Sequence, residues 1–593
     1  MHYINIQDPT VQYTFAETVM LGVPPTGGSF WPTHIPRLPD DFVERWQNLS
    51  FTERATQVVK LFAPELSEHI IAKICADAFD NHYFYERQNT VTHGLNDYQN
   101  REFFTFLDRG PTGTYHDFIV GFQMSCLRHL AGEQGGYVLC GPNIANMKAM
   151  AVQANVDELW HPIFLADQNS GDQFAFKELK SLWQRPLSCA EYTVADPLTL
   201  MQPTKEKRGV ATGLLDADFM EEISREQAKF GGKYNSENQK RSEELLEGVR
   251  DNTGERLYTT ADDLSDTDLA SCLSQVAHRD LPLFLLKGKP QQTEQAVYTL
   301  LSNLGLRQEL AEQQINLSCV DQHTFSAVLA EVIILISAYI DLRKNPHFPS
   351  VKEMRLAVPA PDFDWTVASM LATKMGLAIE NTIVATDRNR LASEFLTTGV
   401  YNINRRFVRT NTPSLDHVYS PNLWRLIYMI SDGNSEVIAQ VIEKMKLKGQ
   451  VRLQVGSKKR KGIYPYIFSN FIDTKEVSDV LREYYDMSDY LFDPVTGVLL
   501  AVTNRYFNHQ KSPILYVVTE NALLSAKMLA RTLFSAKELK YKTYNEILNR
   551  LALETSVPIP RAAYSGSVAP SVSEIYVDEL VATIKELLTS KGN

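Results

Sequence analysis

The stretch Phe103-Phe104-Thr105-Phe106-Leu107-Asp108-Arg109-Gly110-Pro111-Thr112-Gly113-Thr114-Tyr115-His116-Asp117-Phe118 decides how the chain is read. Its first five residues are an apolar, β-prone run. Gly-Pro and small residues then break the pattern, and apolar positions at Phe118, Phe122 and Leu127 resume it at helical spacing. That order predicts strand, loop and helix start. Backbone N–H groups gather at such a place, which makes it a natural seat for an anion or a reactive group.

The rest of the chain supplies the context. At 593 residues it is too long for a single core and implies two or three domains. Apolar residues make up 44% and charged residues 22%, ordinary values for a soluble globular protein. The net charge of −12 leaves no general basic face for nucleic acid. The cluster Lys458-Lys459-Arg460-Lys461 reads as a solvated loop. Six cysteines (75, 126, 140, 189, 272 and 319) are scattered without CxxC spacing, which argues against a disulfide framework and against a zinc site. No signal peptide is visible, and the apolar run Phe325 to Leu342 is interrupted by Glu331 and Ser337, so it reads as a buried helix. A cytoplasmic protein, without membrane or nucleic-acid partner, is the expectation.

Residues 1–100 are expected to form a small helical domain, with helices near Thr14–Leu21, Phe42–Asn48, Thr52–Ala63 and Ser67–Ala78. From 101 to 167 and from 280 to 400, strand-like segments (Tyr137–Cys140, Ile163–Leu165, Leu283–Leu286, Arg355–Val358, Asn381–Ala385) alternate with helical ones (Thr293–Leu304, Phe325–Leu342, Thr366–Lys374). Alternation of this kind predicts a parallel sheet covered on both faces, with ligands held in loops beyond the carboxyl ends of the strands. Residues 168–278 turn strongly polar and read as an insertion, with helices at Asp218–Phe230 and Ser242–Val249 and a surface open to a protein partner. Residues 401–545 continue the α/β core, and the 546–593 extension is expected to end in a helix, Ser573–Thr589.

Several motifs carry a resemblance. Phe15 to Leu38, with Gly22-Val23-Pro24-Pro25-Thr26-Gly27-Gly28 and Ile35-Pro36-Arg37-Leu38, is similar to the N-terminal signature of threonine synthases. Ile383 through Tyr401, Thr412–Asp416, Ser420–Leu426 and Tyr490–Val498 resemble further motifs of that family. Together they span residues 3 to 535 apart from the insertion. The resemblance implies a fold-type-II pyridoxal phosphate (PLP) architecture, like the β subunit of tryptophan synthase: two α/β domains around a cleft, behind a helical N-terminal threonine synthase cap.

The same resemblance exposes a difference. The family carries His-Gly-Pro-Thr-Leu-Ala-Phe-Lys-Asp where this chain has Arg109 to Asp117, so the lysine that binds PLP as a Schiff base is replaced by His116. Imidazole forms no aldimine with an aldehyde. The family's phosphate loop corresponds to Tyr137–Asn146, where Gly141, Asn143, Ala145 and Asn146 stand in place of hydroxyl and glycine residues and Pro142 removes a backbone donor. A third loop corresponds to Pro359-Ala360-Pro361-Asp362-Phe363-Asp364-Trp365, placing two carboxylates where a phosphate would be repelled. Near the cofactor ring, Thr519 persists but the following His-Pro does not. Scaffold motifs survive while the pocket loops have changed together. The leading expectation is a threonine synthase-like protein without covalent PLP and without threonine-forming activity, its cleft open to another small molecule. Three alternatives stand beside it: a PLP-independent enzyme using His116 with Asp362 or Asp364 as acid–base groups, a binding role carried by 168–278, and ordinary activity through a displaced lysine, Lys148. More modestly, Asp362 and Asp364 read as cap and first-turn acid of the helix near Trp365, and His116 as polar filler.

Overall fold

A computed structural model describes residues 1–79, 91–94, 102–132, 135–141, 143–153, 159–167, 282–288, 292–293, 295–344, 353–359, 362–406, 408, 410–417, 419–453, 464, 466–507, 512–555, 557, 559–560 and 573–590. The 168–278 segment with its two expected helices, the 458–461 cluster, Pro142, Ala360 and Pro361 all lie outside them.

Two α/β layers form the body. The strands β4 (Val91–Gly94), β5 (Glu102–Phe106), β10 (Met354–Pro359), β11 (Ile379–Thr386), β14 (Ile467–Phe471) and β15 (Ile514–Val518) make a six-stranded sheet in the order β14-β11-β10-β15-β5-β4. All are parallel except β4, which pairs antiparallel to β5. The second sheet is wholly parallel: β16 (Ser573–Tyr576), β8 (Leu283–Lys287), β7 (Trp160–Asp167), β6 (Gly136–Cys140) and β9 (Asn316–Val320), in that order. A small antiparallel pair, β12 (Val400–Asn402) with β13 (Gln450–Arg452), stands apart from both. Continuous burial along β10 and β15 matches their largely apolar sequences, in which Arg355 of β10 is the one charged residue, as a parallel sheet covered on both faces requires. The expected strands thus appear, most one or two residues longer than the apolar pattern marks.

The helix Phe325–Lys344 is long and apolar enough to cross a membrane, and 94% of its apolar window is buried inside the protein. It packs against the helices His116–Leu130, Asp364–Met375 and Phe51–Phe62 and is the central beam of the largest core. Residues before 80 carry four helices, Phe15–Leu21, Phe42–Trp46, Phe51–Phe62 and Glu68–Ala78. Two of them open with capping boxes, Thr14 with Glu17 and Ser50 with Glu53, which satisfy first-turn N–H groups. This region also holds a three-stranded antiparallel sheet, β2 (Asp8–Tyr13), β1 (Tyr3–Asn5) and β3 (Phe30–Pro32), that the apolar pattern does not mark.

Two expectations need correction. The helix over Thr293–Leu304 is instead two helices, Ala296–Leu301 and Leu304–Glu312. Between them Asn303 leaves the helical conformation and its side chain accepts from Leu306 N (3.0 Å), capping the second helix. At the C-terminus, Ser573–Tyr576 is a strand. Its backbone pairs with β8 and its Ile575 enters the core beside Phe284 and Leu286, so the terminal helix begins only at Leu580.

Candidate functional site

Strand β5 ends at Phe106, and the chain enters the loop 108–115 that the sequence singles out. Asp117 ties it shut: its Oδ2 accepts from Thr112 N (3.0 Å) and Thr112 Oγ1 (2.9 Å). Burial pushes the Asp117 carboxyl up to about 7, against the lowering effect of these bonds. On the other side the loop is stitched to the residues after β15. Tyr115 N donates to Thr519 O (2.9 Å) and Asn521 N donates to Gly113 O (2.7 Å). Thr519 therefore serves the loop through its carbonyl. Gly113 has φ +70°, and a Cβ there would lie 2.7 Å from Pro560 Cβ, so both conformation and space call for glycine.

His116 begins the helix His116–Leu130 and is buried. Its Nε2 lies 3.3 Å from Gln322 Oε1, and Asn143 Nδ2 donates to the same oxygen at 2.7 Å. Gln322 Nε2 in turn donates to Asp362 Oδ2 (2.6 Å). That carboxylate fixes the amide's orientation. Gln322 Oε1 can then only accept, so His116 Nε2 carries the proton and Nδ1 presents a bare lone pair. Nδ1 is buried and has no hydrogen-bond partner. Burial lowers the His116 pKa to about 4, with the Gln322 bond and the Asp362 charge opposing, so the ring is neutral at pH 7.

His323 is the site's cation. Its Nδ1 is 2.6 Å from Asp321 Oδ1 and its Nε2 is 3.0 Å from Asp362 Oδ2. Burial acts to lower its pKa, but the Asp321 charge and hydrogen bond, joined by Asp362, raise it to about 10. For Asp362, burial opposes ionisation and is outweighed by the hydrogen bond and charge of His323, which hold the carboxyl well below its ordinary range. Asp364 behaves oppositely. Burial and the charges of Asp362 and Glu331 raise it well above the carboxylate range, while Tyr115 OH donates to its Oδ2 (2.7 Å). The expected cap role is only partly met. Phe363, with φ 66°, is the cap residue and makes no side-chain cap bond, whereas Asp364 Oδ1 accepts from Trp365 N (2.7 Å).

The loop after β6 completes the cluster. Gly141 has φ +137°, and a Cβ there would collide with the Leu165 carbonyl. Asn143 Oδ1 accepts from Ala145 N (2.8 Å) and Asn146 N (3.3 Å). Those are the amides that a helix start offers to an anion, and here the chain's own side chain engages them. Asn146 is buried, with neither side-chain polar atom bonded.

The structure thus joins three of the sequence's candidates, His116, Asn143 and Asp362, through one residue the sequence reading passed over, Gln322. Asp321, His323, Tyr115 and Glu331 were also missed. A polar turn, Asp321-Gln322-His323-Thr324, between an apolar strand and the longest apolar helix was the available signal. Thr324 caps that helix through its hydroxyl, which accepts from Ala327 N (3.2 Å). The resembling segment Ser420–Arg425 closes the site from behind: Ser420 Oγ donates to Asp362 O, and Arg425 Nη1 donates to His323 O (2.6 Å) and Asn422 Oδ1 (2.7 Å). Lys148 is buried, and its charge acts on Glu520, next to Thr519.

These residues fit PLP poorly. Residue 116 offers an imidazole that forms no aldimine, the Ala145 and Asn146 amides are engaged by Asn143, and the Asp362 carboxylate is held ionised. Among the described residues no group of three or more His, Cys, Asp or Glu is placed to hold a metal ion.

Comparison with known proteins places the chain. The family model "Threonine synthase N terminus" matches residues 2–79. Threonine synthase-like 1 of Homo sapiens is 24% identical over 190 residues, 32% of this chain and 25% of that protein, so the chain matches only a quarter of the length of these relatives. Threonine synthase of Schizosaccharomyces pombe is 21% identical over 542 residues, 84% of this chain and 82% of that protein. Among solved structures, yeast threonine synthase aligns over 99% of both chains with a TM-score of 0.65 and 16% identity. PLP-bound threonine synthase from Brucella melitensis aligns over 100% of both with a TM-score of 0.63 and 14% identity. The fold is that of threonine synthases, a fold-type-II PLP architecture.

Proposed function

We propose that this chain, a member of the threonine synthase family, neither forms a lysine–PLP aldimine nor makes threonine from phosphohomoserine, and that its cleft holds a small molecule by non-covalent bonds. The observation that supports this reading is the chain His116–Gln322–Asp362–His323, with Asn143 joined to it. It turns the position of the Schiff-base lysine and the phosphate loop into partners of each other. An acid–base enzyme built on His116 fits less well. A base with a pKa near 4 has little driving force to take a proton at neutral pH, and the Asp362 carboxylate is engaged by His323.

Absorption spectroscopy of the purified protein with added PLP tests the proposal. The expected result is no internal-aldimine band, no mass added to any lysine after borohydride, and no phosphate released from phosphohomoserine. A borohydride-fixed adduct overturns it. One observation favours a second reading, a displaced lysine: Lys148 is buried and electrostatically close to Glu520, whose neighbour Thr519 holds the pivotal loop. On that reading the adduct maps to Lys148 and disappears in Lys148→Met. In either case the setting we infer is the cytoplasm.

A further inference from the structure

Beyond the carboxyl end of β11, Asp387 and Asp416 meet over a single hydroxyl. Thr410 Oγ1 lies 2.6 Å from Asp387 Oδ2 and 2.8 Å from Asp416 Oδ1, and Thr412 Oγ1 lies 2.6 Å from the same Asp387 oxygen. The other carboxyl oxygens face backbone donors: Asp387 Oδ1 accepts from Asn389 N (2.9 Å) and Asp416 Oδ2 from Thr410 N (2.9 Å). The side-chain amide of Asn389 donates to Val408 O (2.6 Å) and Asp416 Oδ1 (2.5 Å), and Thr410 Oγ1 accepts from Thr412 N (3.1 Å). Asp387 and Thr412 are buried, Thr410 and Asp416 half-buried.

With both carboxyls ionised, this arrangement is short of one hydrogen. The hydroxyls of Thr410 and Thr412 bring two hydrogens to three short contacts with carboxylate oxygens. The Thr410 hydrogen cannot point along both of its contacts, at 2.6 and 2.8 Å, so one of them would set lone pair against lone pair. A third hydrogen completes the set. Thr412 then donates to Asp387, Thr410 donates to one carboxylate, and the other carboxyl donates to Thr410. From this geometry we infer that Asp387 and Asp416 share one proton through Thr410, and that losing it as pH rises loosens the loop 408–416. Burial, joined by the Asp387 charge, raises the Asp416 carboxyl to about 7 against the hydrogen bonds of Thr410 and Asn389. The proton therefore leaves near neutral pH. Unfolded aspartate ionises near 3.8, so stability falls as pH rises from there to about 7 and this contribution is flat above it. Of the other charged residues described on this stretch, Arg405 pairs with Glu394 (2.7 Å), Arg390 lies over the Phe471 ring, and Arg388 and Arg406 are exposed. Burial lowers the His417 pKa, while the charges of Asp362 and Asp387 act on it in the opposite direction. Ser420, shortly after Asp416, donates through Oγ to Asp362 O, so loosening of this loop reaches the back of the cleft.

Hydrogen exchange of the full chain, read by mass spectrometry on peptides covering 408–417 from about pH 6 to about pH 8.5, tests the inference. Intrinsic exchange quickens with pH at every amide. Beyond that, the wild-type loop is expected to lose protection by about tenfold or more, with a midpoint near pH 7. Asp387→Asn supplies the missing hydrogen from a carboxamide, so its loop is expected to follow the intrinsic rate alone. Infrared difference spectra across the same range give a second reading: a carboxylic-acid C=O band lost from the wild type and missing in both Asp387→Asn and Asp416→Asn. Asp117, at about 7, and Asp493, at about 8, titrate in this range too, and cancel when variant is subtracted from wild type. A wild-type loop that follows the intrinsic rate throughout, or the same extra loosening in Asp387→Asn, overturns the inference. If the variants fail to fold, the wild-type exchange midpoint decides.

Discussion

Replacing Asp362 by asparagine tests the electrostatics of the site most directly. The carboxamide oxygen of the variant would still accept from Gln322, so the shape of the network survives while one of the two carboxylates beside His323 disappears. In the native protein the His323 pKa stands at about 10, against 6.5 for an unperturbed histidine. That gap of about 3.5, at about 1.4 kcal/mol per pH unit, corresponds to about 5 kcal/mol of folding stability. A raised histidine pKa contributes fully below 6.5, where the unfolded chain is also protonated, and its contribution is lost as pH rises from 6.5 through about 10. Asp362, held low, contributes above the ordinary aspartate pKa near 3.8 and loses its contribution as pH falls below it. Between these limits the whole ion chain His323–Asp362 is charged. If the two carboxylates share the stabilisation of His323, Asp362→Asn costs about 2 kcal/mol at pH 6, and less once His323 loses its proton. Urea unfolding midpoints of both proteins from pH 5 to 10.5 provide the assay, with the His323 ring titrated by NMR. The difference between the proteins should be widest near pH 6 and shrink toward pH 10, and the His323 pKa should fall. A difference that stays constant from pH 6 to 10, or an unmoved His323 titration, refutes the pairing.

Other consequences can be checked more simply. Gly113→Ala combines a φ of +70° with a Cβ 2.7 Å from Pro560, and should cost about 1–3 kcal/mol by thermal unfolding. Ile584→Ala, in the C-terminal helix, removes a fully buried side chain from the core beneath β8 and should cost about 2–4 kcal/mol in the same measurement. His116→Lys with added PLP should show no aldimine absorbance. Restoring the amine leaves Asn143 on the Ala145 and Asn146 amides and leaves the Asp362 carboxylate in place.

The body of the fold was legible because parallel strands buried on both faces are written as nearly continuous apolar runs. Met354–Pro359 and Ile514–Val518 are buried at every residue, and the one charged residue among them, Arg355, donates through Nε to Ser512 O. The C-terminal strand was not legible. Ser573-Glu574-Ile575-Tyr576 has one buried apolar residue, and what makes it a strand is the edge of β8, far earlier in the chain, with which it pairs. Asn303 splits a helix for the opposite, wholly local reason, a cap that competes with the helical pattern around it.

The site divides along the same line. His116, Asn143 and Asp362 could be found one by one, because each departs from a recognisable motif at a fixed offset. Gln322 could not, because it matters only as the amide that touches all three. That difference bears on function. A pocket released from its task would accumulate polar groups without mutual partners, and each would carry a desolvation cost of its own. Here a neutral imidazole donates to an oriented amide, and that amide and an imidazolium both donate to one ionised carboxylate, across three loops. His116 Nδ1, at one end, is buried without a hydrogen-bond partner. Four groups thus satisfy one another, while Asn146, whose backbone N–H donates to Asn143, keeps a buried side chain with neither polar atom bonded.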